Sequence, residues 1–192
     1  MSFAAAIEHP APPASPPGRR RPSRAAMRLH QPEARLHGLG VFRVTRARGR
    51  LAHLLGRCLR LPTQADAVEA ELLVERTADG ARWARRFGDR WLITTQRFGD
   101  AGELVERFGP VELTFRLLGY GDWLVFLQVR AAIHVGPFRL PLPAWAAPHV
   151  AGRVRCSPVL DRLEARIRLR APLFGELVRY GGSMVVQLEK RT

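Results

Sequence analysis

Trp83, Arg85 and Phe87 occupy alternate positions of the run WARRF, so an extended backbone puts them on one face, with a guanidinium framed by two rings. Glu106 and Phe108 alternate in the same way in ERF. If these faces converge, Arg85 can lie over Trp83 or Phe87 and pair with Glu106, giving a polar spot in apolar surroundings. Such a spot would anchor the headgroup or carboxylate of a ligand. The same pair would equally serve as an ion pair that fixes strand register, and both readings stay open. The ligand-binding expectation names Trp83, Arg85, Phe87, Glu106, Phe108 and Tyr180.

Other reactive residue types form no comparable group. His30 and His37 could share a face of a short helix, but two histidines without a nearby acid make a poor metal site. His134 and His149 flank a proline-rich stretch and could meet across it; surface roles are expected for all four. Cys58 and Cys156 fit neither a CxxC nor a metal spacing and are too few for a disulfide framework, which suits a reducing cytoplasm. Cys58 reads as a small core residue. The chain carries no HExxH, GxSxG, P-loop or GxGxxG motif, so no catalytic residue, metal or cofactor is expected and an enzyme ranks last among the function classes.

The faces that hold Arg85 and Glu106 need strands, and from Val68 onward the pattern has period two. Val68, Ala70, Leu72 and Val74 oppose Glu69, Glu71 and Glu75. Asp79-Gly80 is a hairpin signal, after which Ala81 to Phe87 returns as a second strand. Phe87-Gly-Asp and Phe98-Gly-Asp repeat the turn chemistry and predict strands near 91–98 and 103–108. Val111, Leu113, Phe115 and Leu117 alternate with Glu112, Thr114 and Arg116. A strand from Trp123 to Ile133, apolar on both faces in its first half, is expected to be central or beneath a helix. Val135 to Pro148 is too rich in proline for a central strand and reads as an apolar loop or lid. Another strand follows from about Val159 to Leu169, and the last runs from about Leu177 to Glu189. Ending in strand argues against a helix-grip fold.

Only Gly49 to Pro62 has a helical period. Leu51, Leu54, Leu55, Cys58 and Leu59 fall on one face, and Arg50, His53, Arg57 and Arg60 on the other. Such a helix can lie on an anionic membrane or cover a curved sheet. It lacks an N-cap residue, and Gly56 costs about 1 kcal/mol relative to alanine, so the covering role is favoured over peripheral membrane contact. A short helical turn is expected over 28–38, after Pro32. Residues 1–27, rich in proline and arginine, read as a disordered tail ahead of a single domain at 28–192. The predicted fold class is mainly β: a curved antiparallel meander or open barrel, calycin-like in shape, with one amphipathic helix near 49–61. Trp83, Trp91, Phe108, Phe115, Trp123 and Tyr180 are candidates to line its interior.

Charge and hydropathy narrow the partners. Net charge is +14, and every one of the 31 basic residues except Lys190 is arginine, a bias that reflects GC-rich coding as much as a polyanion partner. The stripe Arg162, Arg166, Arg168 and Arg170 has no interleaved aromatics, so it reads as a solvated outer face and no specific nucleic acid is expected. MSFAAAIEHP carries no early basic residue and reaches Glu8 and Pro10 before any signal core forms. No run approaches the roughly 18 apolar residues of a membrane span, and a cytoplasmic location is expected.

RGRLAHLLGRCLRLP, WARRF, ERFGP, FRLPLPAWAAP and PLFGELVRYGG, in that order, resemble the DUF4166 family across about residues 28–188. The resemblance implies a bacterial domain without an established activity, found alone or fused after a saccharopine-dehydrogenase-like, nucleotide-binding domain. Two function hypotheses follow: binding of an apolar or lipid-like small molecule in an interior cavity, or a non-catalytic accessory domain for a separate oxidoreductase partner.

Overall fold

The computed structural model describes residues 34–190, apart from 60, 78, 100–101, 121, 158–161 and 173. The tail expected over 1–27 lies outside these residues. In chain order the elements are β1 (Ala34–Arg46), α1 (Arg50–Cys58), β2 (Ala65–Thr77), β3 (Gly80–Phe87), β4 (Arg90–Phe98), β5 (Leu104–Phe108), β6 (Val111–Tyr120), β7 (Trp123–Val135), β8 (Phe138–Pro141), β9 (His149–Ser157), β10 (Arg162–Ala171) and β11 (Gly175–Lys190). Neighbouring strands are antiparallel in the order β6-β5-β4-β3-β2-β1-β11-β10-β9-β7, and β6 pairs with β7 in turn. The sheet therefore closes on itself as a 10-strand barrel, calycin-like in general shape, in place of the open alternative. β8 lies outside the ring, a hairpin arm on the far end of β7.

Period-two alternation decides which side chains turn inward. On β2, Ala70, Leu72 and Val74 are buried, and on β3 Ala81, Trp83 and Phe87 join the same core cluster. The outward faces carry rows of ion pairs such as Arg35–Glu75–Arg82 and Arg155–Glu164–Arg166; of the solvated stripe expected on β10, all four arginines are exposed and Arg166 and Arg168 join such pairs. Charge outside and apolar inside is the reverse of a lipid-facing barrel. No helix among the described residues is long and apolar enough to cross a membrane.

Three local expectations need correction, and one is decided between its alternatives. The helical turn over 28–38 does not form over its described part. Residues 34–38 are strand, with rungs from Ala34↔Lys190 to Gly38↔Val186, because pairing to β11 satisfies their backbone groups. Of the two places expected for the strand from Trp123, the central one holds: β7 is paired with β6 and β9 on its two sides and closes the ring, while α1 packs elsewhere, beside the start of β11, where Ala47 N donates to Leu177 O at 3.1 Å. The Val135–Pro148 stretch is only partly loop. Phe138–Pro141 forms β8, and Gln128 ties the rest to the wall by donating to Pro148 O and accepting from Val150 N, both at 2.7 Å. Finally, the pattern does not announce β9. Gly152 interrupts its alternation because a Cβ there would stand 2.8 Å from Ile167 Cδ1 and crowd Phe126.

The helix is present but turned. Ala52 and Gly56 are buried and Leu55 and Leu59 half-buried, whereas Leu51 and Leu54 are 67% and 59% exposed. The cause is Arg46 at the end of β1, whose guanidinium lies against Gly56 and donates to Leu61 O (3.2 Å), Pro62 O (3.0 Å) and His53 O (3.4 Å). A Cβ on residue 56 would sit 1.9 Å from Arg46 Nη2. Glycine thus makes room for an arginine that ties the end of β1 to the helix and the segment after it. As expected, no side chain caps the helix N-terminus.

Candidate functional site

Three neighbouring strands build a polar cluster on the inner wall. Register places Trp83 opposite Thr94 and Gln96 opposite Glu106, so β3, β4 and β5 each send a polar group inward at the same level. Arg85 donates to Thr94 Oγ1 at 3.1 Å and reaches Glu106 Oε1 from Nη1 and Nη2 at 3.3 and 3.2 Å. Both acidic contacts use Oε1, and Oε2 accepts no hydrogen bond among the described residues. The side chains of Arg85 and Glu106 are each 18% exposed. The guanidinium lies 5.2 Å from the centroid of Trp83, so of the two flanking rings it stacks on this one. Phe87 turns instead into an aromatic group with Phe42 and Tyr180, at centroid distances of 5.7 and 5.0 Å. Burial pushes the Tyr180 phenol above its ordinary pKa, an effect that nearby Arg85 opposes and Glu106 reinforces.

The residue that sequence reasoning did not single out is Gln96. It is buried on the inner face of β4, and its Oε1 has no hydrogen-bond partner among the described residues. Thr94 is likewise unmarked in the sequence. Both stand in a strand whose two faces are equally polar in sequence, so alternation carries no contrast that would mark them as inward.

A cavity of about 200 Å³ runs through the barrel interior, and every expected site residue, Trp83, Arg85, Phe87, Glu106, Phe108 and Tyr180, borders it. Gln96 and Thr94 border it too, and the rest of the wall is almost wholly apolar. It reaches the end of the barrel next to α1, where Leu59, Leu61 and Pro148 contribute. Two of the aromatics expected inside are elsewhere. Trp91 lies on the outer face of β4 under Arg86, and Trp123 lies outside against Arg153, Arg155 and Arg166, because each occupies the outward phase of its strand.

His37 and His134 each join a carboxylate and not another histidine. His37 pairs with Glu71 at 3.1 Å, with Arg86 on the same carboxylate. His134 pairs with Glu112 at 3.1 Å and does not turn to His149, since Glu112 also accepts from Arg139 Nε at 2.7 Å and holds the β7–β8 hairpin against the wall. Burial raises the Glu112 carboxyl, but its bonds to Arg139 and His134 outweigh that and hold it below the ordinary range; Glu71 is lowered by the same balance with Arg86 and His37. His30 lies outside the described residues. Cys156 is buried and free, and burial pushes its thiol up to about 11.

Over residues 24–184 the chain matches the family described as "Domain of unknown function (DUF4166)". The chain belongs to that family. No curated protein and no solved structure matches it. The DUF4166 match extends into β11, so the ring strands and the cavity they enclose fall within it apart from the last residues of β11.

Proposed function

We propose that this DUF4166 barrel binds a small apolar molecule bearing a neutral hydrogen-bonding head, such as a hydroxyl, in its interior. The observation that carries the reading is the orphan Oε1 of Gln96 beside the Arg85–Glu106 pair, in an otherwise apolar cavity. A buried acceptor without a partner costs about 1–3 kcal/mol, a cost that a ligand donor removes. Head polarity follows from charge. Glu106 already neutralises Arg85, so an incoming carboxylate would meet Glu106 as a like charge and lose more hydration than it recovers. A hydroxyl both donates and accepts, and so matches Gln96 whichever way its amide is turned. Volume supports the reading as well, since an apolar cavity of roughly 150 Å³ already accepts benzene.

The test is displacement of a fluorescent apolar probe, 1-aminoanthracene, by octanol and by octanoate at neutral pH. Octanol is expected to compete at least tenfold better, and Gln96→Leu to erase most of that preference. Equal competition, or a protein that takes up neither probe nor alcohol, would overturn the proposal. Comparing intact mass under native and denaturing conditions, followed by organic extraction, identifies any molecule that the purified protein already carries.

A further inference from the structure

One rim of the barrel differs from the rest of the surface. Because neighbouring strands are antiparallel, the β1–β2, β7–β8 and β10–β11 connections all emerge at the same end. The ring order places them on one continuous arc, from β2 through β1, β11, β10 and β9 to β7. Each connection holds apolar side chains in water: Leu51 and Leu54 on α1, Phe174 in the β10–β11 turn, and Phe138 on β8, followed by Trp145, which is 78% exposed.

The same arc carries an excess of positive charge. Arg48, Arg50, Arg57 and Arg170 are exposed and form no ion pair among the described residues. Of the acids on this arc, Asp66 lies near Arg43 and Glu176 pairs with Arg168 and Arg179, which leaves Glu69 on β2 as an exposed carboxylate against four arginines. Separate projections, each apolar at its tip and flanked by arginine, suit a fluid surface that moulds to them better than a rigid protein face that must match all three at once. An indole in water beside leucine and phenylalanine is the composition of a membrane-interface belt.

We propose that this rim docks on an anionic lipid surface, with Leu51, Leu54, Phe138 and Trp145 entering the headgroup–acyl boundary and the arginines meeting lipid phosphates. The helix that covers the barrel thereby has a second face with its own partner. The inference rests on the rim and not on what the cavity holds.

Co-sedimentation with vesicles of equimolar phosphatidylcholine and phosphatidylglycerol tests it. The protein is expected to pellet with these vesicles and not with phosphatidylcholine alone, and the 145 region to give a blue-shifted emission on binding that Trp145→Phe removes. Leu51→Ser with Leu54→Ser leaves charge unchanged and touches only water-facing side chains, and should weaken binding at least about tenfold. Arg57→Glu should weaken it strongly, while Arg162→Glu, at the opposite end of the barrel, should not. Unfolding midpoints of all variants check that the fold is retained. Equal effects of Arg57→Glu and Arg162→Glu with no effect of the leucine pair would reduce the binding to net charge and overturn the proposal. Failure to bind vesicles, with or without capture of a protein partner by the same rim, would overturn it too.

Discussion

Gln96 sits where stability and binding pull in opposite directions. Its amide oxygen makes no bond within the fold and costs it the desolvation of a buried acceptor. Gln96→Leu keeps the size and removes the orphan, so the unliganded protein is expected to gain about 1 kcal/mol, read as a higher urea midpoint with an unchanged slope. The same variant should lose affinity for octanol. A variant that is less stable would mean that Gln96 has a partner in solution. At this scale the sequence reveals half of the cluster. Arg85 and Glu106 are visible because rings and aliphatics on their faces contrast with arginines on the other. In β4, Thr94 and Gln96 alternate with Thr95 and Arg97, and no such contrast exists. Their burial comes from the register with β3 and β5, which no local pattern encodes.

Among the elements, α1 shows how a propensity rule can be inverted by one neighbour. On an isolated helix Gly56→Ala would stabilise by about 1 kcal/mol. Here the added methyl displaces the Arg46 guanidinium from the carbonyls of Leu61 and Pro62, and the expected result is a loss of about 1–3 kcal/mol in chemical denaturation. Adding Arg46→Met should make the alanine nearly harmless, because the clash and the bonds disappear together. Additive losses would show that the two residues act separately. The helix itself is legible from its spacing of leucines, but its rotation is not: Leu51 and Leu54 of the apolar face stay in water while Ala52 and Gly56 turn inward, and Arg46, distant by half a dozen positions or more from the residues it holds, lies against that buried side. The proline-rich stretch after β7 is legible as unfit for the ring. That it is pinned by Gln128, and its hairpin by Glu112, rests on side chains from other strands.

For the molecule as a whole, acid should unfold the barrel by a nameable route. Glu71, Glu112, Glu164 and Glu176 all have folded pKa values below 4.5; in each case burial acts upward and bonds to arginine, joined by histidine for the first two, act downward and prevail. A lowered folded value means that the unfolded chain binds more protons, so each group's contribution is fully present above the unfolded value near 4.5 and is lost as pH falls through the folded value. The urea midpoint is expected to fall steadily below pH 4.5, and less steeply for Glu112→Gln, whose carboxyl is the most enclosed of the four. A midpoint that holds or rises on acidification would contradict this account. Mainly β architecture is legible from the succession of period-two runs and Gly-Asp turns. Closure is not, because it depends on β1 meeting β11 and β6 meeting β7, the first of which has no local signal at all.

The β1–β11 seam also governs when this protein can become itself. β1 is 13 residues long and is hydrogen-bonded over its whole length to a strand that is synthesised last of those described. Hairpins β2 to β7 can form as they emerge, each from neighbours in sequence, but the ring stays unclosed until β11 arrives. During that interval both bordering strands show bare edges, the template on which one chain adds to another. The unclosed sheet thus offers a route to pairing between chains that the finished barrel, with its edges joined, lacks.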